Sequence, residues 1–114
     1  MKRFFTVLFL VATILLLTSC KVNYKKYHDW LYEEIPFEIT ENINLPIMTK
    51  DEKYVIRWRS NNSNVMNNFG VYKQPMESVE FKLHYTLIDK EGNEVYTNSL
   101  LCYALGIIEQ DTRI

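Results

Sequence analysis

The hydrophobic rhythm of the chain changes twice. Phe4 to Leu17 (FFTVLFLVATILLL) carries no charge. As a helix this run is roughly 21 Å long, well short of a hydrocarbon core of about 30 Å. Placed behind the positive Lys2 and Arg3, it reads as the apolar region of a secretion signal rather than a permanent span. Residues 21–34 (KVNYKKYHDWLYEE) then space Tyr24, Tyr27, Trp30 and Leu31 by threes, fours and ones. That pattern admits a short amphipathic helix ending before Pro36, with Lys21, Lys25 and Lys26 set at a membrane interface. It equally admits a tether that packs its aromatics against the domain or moves freely, and the tether is the favoured expectation.

From Glu34 onward the period is two. Ile35, Phe37 and Ile39 alternate with polar positions, as do Ile43, Leu45 and Ile47 around Pro46. Tyr54, Ile56 and Trp58 make one face of the next run, and Val55, Arg57 and Arg59 the other. The clearest strand is 78–88 (SVEFKLHYTLI), with Val79, Phe81, Leu83, Tyr85 and Leu87 opposite Glu80, Lys82, His84 and Thr86. Asp89-Lys90-Glu91-Gly92-Asn93 predicts a hairpin whose glycine supplies a positive φ. It leads into Val95-Tyr96-Thr97 and then Leu100 to Leu105, which is apolar at every position and so expected to be buried on both faces. No long helix is predicted after residue 35. Short strands broken by turns every ten or so residues predict an all-β fold, a small antiparallel β-sandwich or barrel.

Where the apolar run ends, Leu17-Thr18-Ser19-Cys20 resembles the lipobox of bacterial lipoproteins: an aliphatic residue, two small residues and a cysteine. The resemblance implies cleavage between Ser19 and Cys20 and a lipid on the Cys20 sulfur. It divides the chain into a signal peptide (1–19), a lipidated cysteine with its tether (20–34) and a β-sandwich domain (35–114). Two or more acyl chains give stable anchoring where one does not, so the tether need not contribute to attachment. Lys21 takes the place where, in Gram-negative relatives, an aspartate signals inner-membrane retention. The implied address is the cell envelope, at the outer membrane facing the periplasm if the organism is Gram-negative. Residues 35–100 also resemble small proteobacterial lipoproteins with an immunoglobulin-like domain, through Pro36-Phe37-Glu38-Ile39, Tyr54 to Trp58, Gly70 and Val79 to Gly92. That likeness implies an immunoglobulin-like sandwich and brings no activity with it.

Composition narrows the function. Removing 19 of 114 residues leaves 95, room for one domain. Without Lys2 and Arg3 the 13 basic residues become 11 against 14 acidic ones, a net charge of −3. Such a balance lacks the clustered positive charge of a nucleic-acid binder. Sixteen aromatic residues, eight of them tyrosine, argue for a packed core with strands rather than disorder.

The candidate chemistry is sparse. A lipidated Cys20 leaves Cys102 unpaired, and its neighbours Leu100, Leu101, Tyr103 and Ala104 make it a small buried hydrophobe. His28 and His84 lie far apart without the cysteine or carboxylate company that a zinc site needs, so no metal and no cofactor is expected. Glu33-Glu34 and Asp51-Glu52 are adjacent pairs, more consistent with solubilising charge than with carboxylates converging across a cleft. Phosphate-loop, nucleophile-elbow and metalloprotease motifs are missing from the sequence, and an enzyme is not expected.

Recognition is the remaining possibility. Arg57 and Arg59 share one strand face, and Ser60 to Asn68 is a polar stretch whose asparagines suit turns and binding loops. Arg57, Arg59, Asn61, Asn62 and Asn64 are therefore the candidate binding surface; cross-strand pairing of the arginines with Glu80 is the ordinary alternative. The function expected is a lipid-anchored, non-enzymatic domain that binds an envelope protein, as an accessory or immunity-type inhibitor. The alternative is a small-ligand carrier or sensor with an aromatic-lined pocket.

Overall fold

The computed structural model describes residues 22–108. Ser19, Cys20, the signal segment and the end of the chain beyond Ile108 lie outside the described residues. Within them the chain is mostly strand with one short helix. The order is α1 (Lys25–Glu34), β1 (Glu38–Ile39), β2 (Val55–Ser60), β3 (Val79–Ile88) and β4 (Glu94–Ala104). The strands form one four-stranded sheet in the order β1-β4-β3-β2. Its three long strands are antiparallel, whereas β1 joins the edge of β4 in parallel, Glu38 beside Tyr103 and Ile39 beside Ala104.

The expectation of an all-β sandwich is met in part. The antiparallel strands are present, but among the described residues they make one open mixed sheet. The layer packed on it is α1 together with the irregular chain around Leu45, Val65 and Met66. The physical reason lies in two segments. Ile43, Leu45 and Ile47 alternate like a strand, yet Pro46 removes a ladder donor in their midst. The chain there forms no ladder with β2 and meets it at a few points, among them Ile56 N–H donating to Ile47 O (2.8 Å) and a bridge between Met48 and Val55. Residues 25–34, favoured as a tether, form a helix that completes the core: Leu31 is fully buried and Tyr27 is 5% exposed.

The strand β3 follows its sequence pattern, with Phe81, Leu83, Tyr85 and Leu87 all buried. Ile56 and Trp58 continue that face on β2. Strand β4 departs from expectation. Leu100, Cys102 and Ala104 point into the core, but Leu101 is 45% exposed on the other face and Tyr103 stacks on Phe37 there (centroids 6.1 Å apart). An apolar run has no period of its own; the single covered face of the sheet imposes one. The β3–β4 hairpin is built as its residues predict. Gly92 has φ +85°, and Asp89 Oδ1 accepts N–H bonds from Glu91 (3.0 Å) and Asn93 (2.8 Å).

Aromatic contacts fasten α1 to the sheet. The Tyr24 ring stacks on Tyr96 at 5.3 Å and meets Tyr54 edge-on at 5.8 Å. One turn on, His28 Nδ1 lies 2.7 Å from the Tyr85 hydroxyl, satisfying a phenol at the centre of the core. The Tyr27 hydroxyl donates to Asp51 Oδ2 at 2.6 Å, and Thr49 Oγ1 donates to Asp51 Oδ1 at 2.8 Å. These bonds, Tyr27's first, hold the Asp51 carboxyl down at about pH 2 for half-protonation, against the opposing effect of its partial desolvation.

Candidate functional site

The register of β2, β3 and β4 writes two rows of side chains across the open face of the sheet. Arg57, Thr86 and Thr97 lie side by side in one; Arg59, His84 and Ser99 lie in the next. Directly opposed residues hold their Cβ atoms about 5 Å apart, so Arg59 and His84 present a double donor surface. Thr86 Oγ1 and Thr97 Oγ1 are 3.3 Å apart, sharing a hydrogen between neighbouring strands.

All of these but Ser99 floor a solvent-open groove of about 520 Å³ along β2, also lined by Ile47, Asn68 and Phe69. Its apolar walls are unusually bare: Phe69 is 83% exposed and Ile47 is 74% exposed. Local hydrogen bonds explain how the chain holds them there. Asn67 Oδ1 accepts from Phe69 N–H (2.8 Å) and Val71 N–H (3.1 Å), turning the chain tightly around Phe69. Asn68 Oδ1 accepts from Ser60 N–H (2.8 Å), fixing that turn to the end of β2. On the other wall, Trp58 Nε1–H donates to Pro46 O at 2.7 Å and holds the segment carrying Ile47 against the strand.

The two arginines differ in their electrostatics. Arg57 pairs with Glu94 across the face, both side chains well exposed, so the pair is worth little stability but neutralises one guanidinium. The expected partner, Glu80, sits instead beside Tyr103 near the far end of β3, away from both arginines. Arg59 has no carboxylate partner among the described residues.

The asparagines part company with the arginines. Asn61 is a sheet residue in effect: its N–H donates to Lys82 O (3.0 Å) and its Oδ1 accepts from Lys82 N–H (2.8 Å), carrying the pairing of β2 with β3 one residue past Ser60. Asn62 Oδ1 accepts from Asn64 N–H (3.2 Å), and Asn62 O accepts from Val65 and Met66. Asn61 and Asn62 thus build the loop, while Asn64 is exposed outside the groove lining. His84, Phe69, Ile47, Thr86 and Thr97 were missed as site residues. Alternation alone puts His84 on the open face, but only the β2–β3 register brings it beside Arg59.

Other candidate groups are accounted for by structure. Cys102 is buried, and that burial pushes its thiol up to about 11, away from thiolate chemistry. Asp51 is tied to Tyr27, Thr49 and Lys53 N–H, and Glu52 takes the left-handed turn position at φ 62°. Tyr85 fills the core between His28, Trp58 and Tyr96, and burial pushes its phenol upward.

No protein-family model matches the chain, and no curated protein matches it. The functional reading therefore rests on the sequence and this geometry.

Proposed function

We propose that the protein is a lipoprotein anchored through Cys20 whose open sheet face is a non-enzymatic binding surface for another protein of the cell envelope. The observation that carries the second half is the groove itself. A guanidinium without a carboxylate (Arg59) stands beside His84 in a groove also lined by two bare apolar side chains, Phe69 and Ile47. Exposed aromatic and arginine side chains around a cleft are the usual anchors of protein–protein contacts. A free large ring held out by an ordered turn costs solubility with no return in core packing, which favours an interface role over a structural one.

Support for the first half comes from the order of charged, apolar and small residues before Cys20. An accessory or immunity-type role fits a small scaffold held near one membrane. The carrier alternative draws less support, because the core tyrosines that would line a pocket are in contact with one another.

A photo-crosslinking amino acid at position 69, in cells of the source organism, tests the binding half. The expected result is a discrete higher-mass adduct that Arg59→Glu abolishes while the protein's abundance holds. No adduct at position 69 or 47, with the chain present in membranes, would refute it.

A further inference from the structure

The charges of the domain are sorted by end. The sheet register and the Tyr24 contacts gather the start of α1, the start of β2, the end of β3 and the start of β4 at one end. Five exposed lysines stand there: Lys25 and Lys26 on α1, Lys50 and Lys53 in the turn before β2, and Lys90 in the hairpin. Among the described residues none of these ammonium groups is ion-paired. The carboxylates nearby are Asp51, Glu52, Asp89, Glu91 and Glu94, the last paired with Arg57. Two of these are turned onto the chain's own donors: Asp51 to Tyr27, Thr49 and Lys53 N–H, Asp89 to Glu91 and Asn93 N–H. The opposite end has the reverse sign. Glu33 and Glu34 end α1, and Glu38, Glu77 and Glu80 lie about β1, the start of β3 and the end of β4, with Lys73 beside them and Lys82 further in.

The lysine end is also where the anchor enters. Cys20 precedes Tyr24 by four residues, and an extended chain covers at most about 3.5 Å per residue. Because Tyr24 is fixed against Tyr54 and Tyr96, a lipid on Cys20 holds this end within about 14 Å of a bilayer surface. Two shallow clefts open there, one lined by Lys26, Lys50, Trp30 and Asp51, the other by Lys53, Lys90, Met48 and Val55 with Glu52 and Asp89. Both combine ammonium groups with apolar surface, as interfacial contacts do.

We infer that the lysine-bearing end of the domain docks on the anionic headgroups of the bilayer that holds the anchor, fixing the domain's orientation with its acidic end outward. This rests on the lipoprotein reading, since without the tether an excess of about one positive charge binds a membrane weakly. Anionic surfaces attract each nearby lysine by about 1 kcal/mol, screened within about 10 Å at ordinary salt. Confined by the tether, that attraction has only to orient the domain, not to capture it from solution.

The test separates the two claims. The chain from Cys20 onward, which keeps every residue of the described core, is coupled through Cys20 to a maleimide-bearing lipid. Cys102, buried and with its thiol held up at about 11, does not compete. Vesicles are phosphatidylcholine alone or with phosphatidylglycerol, and lysine acetylation is followed by peptide mass spectrometry. On anionic vesicles at low salt, Lys26, Lys50, Lys53 and Lys90 are expected to react about threefold more slowly or less, while Lys82 is unchanged. High salt, or the Lys50→Glu/Lys53→Glu variant with an unchanged melting temperature, should restore the rate at Lys26 and Lys90. Equal rates on both vesicle types, or equal slowing at Lys82, overturn the inference. Because the tether here is synthetic, a native chain without lipid would defeat the lipoprotein reading and leave this measurement standing.

Discussion

Replacing Leu31 by alanine asks whether residues 25–34 are a linker or part of the fold. Leu31 is fully buried in the cluster that also holds Tyr27, Ile35 and Ile39. Truncating a leucine in such a place costs about 2–5 kcal/mol, the transfer of the lost methyl groups plus the cavity left behind. Domains are stable by roughly 0.05–0.15 kcal/mol per residue, so a chain of this size has about 5–14 kcal/mol to lose. At about 4–8 °C per kcal/mol for a small domain, the melting temperature should fall by at least about 8 °C. Tyr32, 70% exposed on the same helix, supplies the control, since surface truncations stay within about 0.5 kcal/mol. Thermal unfolding of the chain from Cys20 onward, followed by circular dichroism, reads both. If Leu31→Ala melts within a degree or two of the parent, α1 is a tether after all and the described core is wrong.

Three further outcomes follow from the same contacts. Asp51 has its pKa lowered to about 2 by the Tyr27 and Thr49 hydroxyls, so its stabilising effect is complete above pH 4 and is lost as pH falls toward 2. Asp51→Asn should flatten that part of the acid unfolding curve, and an unchanged curve would show that the α1–turn clamp carries no stability. Gly70 has φ +82°, and a Cβ there would strike the carbonyl of Ile43. Gly70→Ala should therefore cost clearly more than Gly92→Ala, where φ is +85° but nothing lies within 4 Å, whose cost is the backbone strain of about 1–2 kcal/mol. Equal denaturant midpoints for the two variants would contradict the close approach at Gly70. Burial raises the Cys102 thiol to about 11, so a thiol reagent should label it only on unfolding at neutral pH; rapid labelling of the native chain would place it at the surface.

How much was legible in the sequence depends on how locally each feature is determined. The alternation of β3 and the Asp89–Asn93 hairpin were readable because period and turn chemistry are properties of a few consecutive residues. Leu100 to Leu105 was not, since a run of apolar residues fits a strand covered on one face or on two. The pairing of β1 in parallel with β4 was equally hidden: a two-residue strand has no pattern, and its place is set by Phe37 O accepting from Tyr103 N–H at 2.7 Å and Ile39 O from Leu105 N–H at 3.0 Å. For the site, Arg57 and Arg59 could be chosen by charge and face. His84 could not be joined to them without the register, and a lone Phe69 just past the polar stretch of Ser60 to Asn68 carries no signal of its exposure. Asn61 and Asn62 were chosen for residue type, and backbone amides proved to be their partners.

The central claim, that the domain works from a lipid on Cys20, is most directly tested by intact-mass measurement of the chain purified from bacterial membranes beside its Cys20→Ala variant. A chain beginning at Cys20 and heavier by a diacylglyceryl group, with or without an added acyl chain, is the predicted result, the variant keeping residues 1–19 and gaining no lipid. A wild-type chain with an unmodified Cys20 would contradict it.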